Sequence, residues 1–152
     1  MAKPPAPLFN QINIVSRNPE ASLAFYRRLG VHLPAESAWG TATGLHHVNG
    51  SCAADETLGL DVDSVAFAKC WNTGWRNRED LAGRVVLGFH FPTREAADAC
   101  FTDLTVAGYT GLQPPIDAFL GARYATVADP DGTAVGLMSP ISDAMRSPPP
   151  NV

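Results

Sequence analysis

Residues 18–30 read Asn-Pro-Glu-Ala-Ser-Leu-Ala-Phe-Tyr-Arg-Arg-Leu-Gly, and this stretch decides the fold. The Asn18 side chain can accept from the free N–H groups of a first helical turn, and Pro19 supplies the φ that turn requires. Ser22, Phe25, Tyr26 and Leu29 recur at i, i+3, i+4 and i+7, which makes one stripe for burial. Gly30 is the natural stop. Upstream, residues 8–16 (LFNQINIVS) are rich in β-branched side chains and predict a strand. Downstream, short strands are expected near 33–39, 43–48 and 57–63. In the last of these Leu58, Leu60 and Val62 take one face, while Asp61 and Asp63 take the other.

The second half repeats this grammar. Residues 84–91 (RVVLGFHF) predict a strand, Thr93 caps a helix, and Ala97, Cys100, Phe101 and Leu104 carry the helical spacing. Gly108 stops that helix. Strands are expected near 110–113 and 121–128, before Asp129-Pro130-Asp131-Gly132 turns into a last strand over 133–138. Ala97, Cys100, Phe101 and Leu104 each lie 75 residues beyond Ser22, Phe25, Tyr26 and Leu29, and Gly136 lies 75 beyond Asp61. The order of elements and the register at both ends predict a duplicated unit of one strand, one helix and three strands. On these parities Ile12, Ile14, Leu87 and Phe89 lie under the helices with Phe25, Leu29, Phe101 and Leu104. Gln11 and Asn13, then Val86, Gly88 and His90, take the opposite face, where a ligand cup is expected.

The chain resembles the vicinal oxygen chelate superfamily, which includes glyoxalase I, extradiol dioxygenases and bleomycin-resistance proteins. The residues that carry the resemblance are Asn18 to Gly30 and the ending Asp129 to Leu137. It implies an α+β fold of two paired βαβββ modules forming a curled mixed sheet around a cleft, usually in a homodimer. Module 1 would span about 8–64, a connection 65–82, module 2 about 83–140 and a tail 141–152. Metal-bearing members hold their ion at positions that carry over to Gln11, Asp61, Val86 and Gly136. Valine and glycine offer no lone pair, so no metal and no cofactor are expected.

Other candidates follow from residue type. Asp61 is read as a ligand-binding carboxylate whose change to Asn alters ligand affinity rather than folding; Asp63 is read as a solvated residue at a strand end. Only one of the neighbours His46 and His47 can face the cleft. His90 has the right parity, His32 reads as surface, and no histidine has a partner visible in the sequence. Trp39, Trp71 and Trp75 read as strand or loop residues offering flat stacking surfaces, with Tyr124 beside them. Arg123 reads as a surface ion pair. Cys100 belongs to the helical stripe, while nothing near Cys52 or Cys70 would activate a thiol. The expected ligand-binding set is Gln11, Asn13, Trp39, His47, Asp61, Trp71, Trp75, His90 and Tyr124.

The 152 residues carry a formal charge of −4, which gives no basic footprint for nucleic acid or an anionic membrane. No apolar run approaches the roughly 20 residues of a membrane span. The start, MAKPPAPLF, lacks the apolar core of a secretory signal, and three cysteines without CxxC spacing make no disulfide framework. A cytoplasmic, metal-free binder of a partly aromatic or cationic small molecule is the expected function. The alternative is a glyoxalase-like lyase or a related enzyme of the superfamily, with or without a divalent metal.

Overall fold

The computed structural model describes residues 11–52, 58–71, 85–118 and 121–148. The chain forms two compact units, Met1–Trp75 and Arg76–Val152. In the first, strand β1 (Gln11–Ser16) leads into helix α1 (Pro19–Arg28), followed by β2 (Val31–His32), β3 (Ala38–Thr41), β4 (Gly44–Val48), β5 (Ser51–Cys52) and β6 (Gly59–Ser64), then a short helix α2 (Val65–Trp71). The start of the expected strand, 8–10, lies outside the described residues. A 3₁₀ turn at Ala35–Ser37 breaks the strand expected over 33–39, because Pro34 favours a turn and its carbonyl accepts from the Ser37 hydroxyl at 3.0 Å.

α1 begins where the residue types predict, with the Asn18 side chain accepting from the Ala21 N–H at 3.1 Å. The Ser22 hydroxyl meets that of Ser16 at 2.7 Å, which ties α1 to the face of β1 that carries Ile14. Ile14, Phe25, Tyr26, Val48, Leu60 and Val62 are buried under it, while Ile12 and Leu29 are only half-buried.

β4 and β5 pair with β6 in one unbroken antiparallel register, His47 with Asp63, Val48 with Val62 and Ser51 with Gly59. They are two halves of one strand, interrupted at Asn49-Gly50. A Cβ at Gly50 would stand 2.4 Å from the Leu60 carbonyl oxygen and 2.5 Å from a Leu33 methyl, so only glycine lets the strands approach this closely. β3 pairs with β4 as the outer strand and carries a bulge between Trp39 and Gly40.

The second unit holds β7 (Val86–His90), α3 (Arg94–Val106), β8 (Gly111–Asp117), β9 (Arg123–Ala128) and β10 (Ala134–Met138), in sheet order β7-β10-β9-β8. Thr93 caps α3 through the Ala96 N–H at 3.1 Å. β8 runs longer than expected and includes Pro114 and Pro115, with two irregularities in its pairing to β9. In this half Leu87 and Leu104 are buried, Phe89 and Phe101 only in part.

The duplication is visible in the backbone. β1 and β6 run parallel with Gln11 opposite Gly59 and Asn13 opposite Asp61; β7 and β10 run parallel with Val86 opposite Ala134 and Gly88 opposite Gly136. Each pair in the second unit lies 75 residues beyond its counterpart in the first, and α1 and α3 start at positions with the same offset.

Among the described residues no helix is long and apolar enough to cross a membrane. Cys100, half-buried on α3, has its thiol pushed up to about 11 by burial and then by the nearby Asp103 charge. It stays protonated at neutral pH and is a packing residue.

Candidate functional site

The face of the first sheet opposite α1 is polar. β1 contributes Gln11 and Asn13, β6 contributes Asp61 and Asp63, and the β4–β5 strand contributes His47 and Asn49. The Gln11 amide donates to Asp61 Oδ2 at 2.6 Å, the Asn49 amide to the same oxygen at 3.1 Å, and the Gly50 N–H to Oδ1 at 3.3 Å. The strand interruption therefore turns a backbone donor onto the carboxylate. Asp61 is 3% exposed and Asp63 1%, so both are buried beneath exposed Gln11 and Asn13 side chains. Burying a carboxylate is costly unless donors satisfy it, and here amides, a backbone N–H and an imidazole do so.

This corrects one expectation and adds to two others. Asp63 is not a solvated strand end; its Oδ2 accepts from the Asn13 amide at 3.1 Å and its Oδ1 meets His47 Nδ1 at 2.5 Å. A histidine therefore does have a carboxylate partner. Asp61, holding three donors, is part of the packing, so Asp61→Asn would set an amide against amides and disturb folding as well as any ligand.

The two neighbouring histidines divide as strand alternation requires. His46 lies on the α1 side, with Nδ1 2.9 Å from the Ser64 hydroxyl and Nε2 2.9 Å from those of Thr41 and Thr43. His47 lies on the polar side. The Phe67 ring of α2 packs edge-on against His47 at 5.5 Å and against Trp39 at 5.3 Å, and Trp39 is 50% exposed. Trp71 is in α2 rather than in a loop or strand, because the run Val65–Trp71 continues from Ser64, whose hydroxyl accepts the Phe67 N–H at 3.1 Å. Its side chain, like the whole of Trp75, lies outside the described residues.

In the second unit the corresponding face carries Val86, Gly88 and His90, all exposed. Tyr124, on β9, lies over Gly136: a Cβ added there would meet its hydroxyl at 2.7 Å. Tyr124 pairs with Met138, one alternation from Gly136, so its ring reaches across diagonally. Arg123 pairs with Asp98 at 2.9 Å and Asp117 at 3.0 Å, which raise the guanidinium further above its ordinary range. Asp117 also meets Arg94.

These donors do not fit a metal ion. Gln11 and Asp61 bond to each other, Val86 has no donor atom, and Tyr124 fills the space a side chain at 136 would need. Among the described residues no three His, Cys, Asp or Glu side chains are grouped to hold an ion.

Solved structures similar to this one include a glyoxalase/bleomycin resistance protein/dioxygenase family enzyme from Burkholderia phytofirmans PsJN, with a TM-score of 0.70 at 17% identity over 86% of this chain and 96% of that one. A glyoxalase-related enzyme from Fulvimarina pelagi gives 0.69 at 18% identity over 90% and 93%. TioX from Micromonospora sp. ML1 gives 0.57 at 16% identity over 88% and 98%. At these identities the likeness is one of fold. A comparison with curated proteins returns no match. The sequence profile of the Glyoxalase/Bleomycin resistance protein/Dioxygenase superfamily matches residues 8–137. That match spans most of the chain, and the chain belongs to this superfamily.

Proposed function

We propose that the protein binds a small, partly aromatic or cationic molecule, as a metal-free relative of the bleomycin-resistance type. The observation that supports this most is the polar face of the first sheet. Two buried aspartates, about 6.6–6.8 Å apart along β6, sit under exposed amides and beside a half-exposed tryptophan. Negative charge and a flat π surface together suit an aromatic cation. Gln11, Asn13, Trp39, His47 and Asp61 form this part of the site; His90, Tyr124, Trp71 and Trp75 complete the proposed set. Negative net charge fits a cytoplasmic protein that binds no nucleic acid.

Purified protein without a metal-binding tag is expected to carry no stoichiometric zinc, nickel or iron, and to keep its melting temperature in EDTA. Tryptophan fluorescence should respond to planar aromatic cations such as quinolinium or benzamidinium, and Trp39→Ala should weaken that binding roughly tenfold, about 1.4 kcal/mol. One equivalent of metal with Gln11 and Asp61 among its ligands would reverse the reading in favour of a metalloenzyme. The chain is further proposed to be a homodimer; light scattering at micromolar concentration should report twice the 16.2 kDa of one copy, and a monomer there refutes it.

A further inference from the structure

We propose that His47 is a general base, aimed by Asp63, that moves a proton on a benzylic ketone (ring–CH2–C=O) bound against Trp39. This rests on the reading of the polar face as a ligand site and adds chemistry to it. The argument begins with the tautomer. A carboxylate only accepts, and the other group on Asp63, the Asn13 amide, is a donor, so the 2.5 Å contact puts the proton on Nδ1 of His47. In the neutral ring Nε2 then carries the lone pair. No partner for Nε2 is present among the described residues, and the His47 side chain is 21% exposed. The adjacent His46 is the internal contrast, with both nitrogens bonded to hydroxyls and none left for a substrate.

The surroundings name the substrate class. Phe67 packs on the His47 ring and Trp39 on Phe67, with Trp39 also 5.3 Å from the His46 ring, and this aromatic wall suits a flat ring. Among the described residues the charged groups on the same face as His47 are Asp61 and Asp63, which disfavour an anionic substrate; a neutral one enters, and the negative charge it gains arises together with the positive charge of the imidazolium beside it. Nε2 takes a proton from the carbon between ring and carbonyl. The C–H electron pair forms the enolate, and the second N–H of the exposed Asn13 amide is available to its oxygen. Asp63 holds the imidazolium until the proton returns to carbon. Atoms and electrons balance with no further reactant. His47 is the catalytic residue and Asp63 a positioning residue.

The test uses 2-indanone in deuterated water, with exchange of its benzylic protons followed by proton NMR and binding by tryptophan fluorescence. Wild-type protein should exchange about 100-fold faster than buffer. His47→Gln should lose that rate while still binding, and His32→Gln, an exposed residue on β2, should keep it. Nitrogen-15 NMR should show His47 protonated on Nδ1, with the preference lost in Asp63→Asn; should that variant fail to fold, His47→Gln carries the test. Exchange that persists in His47→Gln, or an Nε2-protonated ring, overturns the proposal. Binding without exchange overturns the base and leaves the binding reading standing. Neither binding nor exchange overturns the base, and the binding reading falls with it only if quinolinium also fails to bind.

Discussion

Phe25→Ala is expected to cost about 3–5 kcal/mol. The ring is fully buried and meets Tyr26 edge-on at 5.1 Å, so its removal leaves a cavity that a helix clamped at Asn18 cannot close. The position 75 residues on is Cys100, a half-buried thiol, and Cys100→Ala should cost about 1 kcal/mol or less. Urea unfolding of both variants gives the comparison. Equal losses would show that α1 is not held by its aromatic stripe.

Gly50→Ala is expected to cost about 1–3 kcal/mol, toward the upper end because the new methyl would strike a backbone carbonyl that has no rotamer to escape into. The damage reaches the site, since pushing Gly50 off β6 withdraws its N–H from Asp61 and shifts Asn49. Gly88→Ala is the control: a Cβ there meets nothing within 4 Å, so its stability should stay within about 0.5 kcal/mol of the parent. Thermal unfolding followed by tryptophan fluorescence checks both. An unchanged Gly50→Ala midpoint would mean the strand does not break there.

The helices and the duplicated frame were legible because their signals are local. Asn18-Pro19 and Thr93 announce their helices through bonds to residues three positions away. The 75-residue offset carried the register of both parallel strand pairs, since pairing between backbones constrains spacing whatever the side chains are. The site was legible only by parity. Gln11, Asn13, Asp61 and His47 share a face because side chains alternate along strands. The His47–Asp63 contact depends on which residue of β4 lies opposite which of β6, and no local pattern sets that register across 16 residues. Tyr124 over Gly136 was hidden for a related reason: it is a diagonal contact between strands, and a glycine announces only room, never what fills it.

Two of the outer strands, β3 and β8, have a consequence for how copies of this chain meet. An outer strand with free N–H and C=O groups invites a neighbour to add to it, which is the route to fibres. β3 is bulged between Trp39 and Gly40, and β8 carries Pro114 and Pro115, which have no N–H to offer. These two edges are thus poor templates, each by a different device. Molecules of this protein can crowd together without knitting their β3 or β8 strands into a shared polymer.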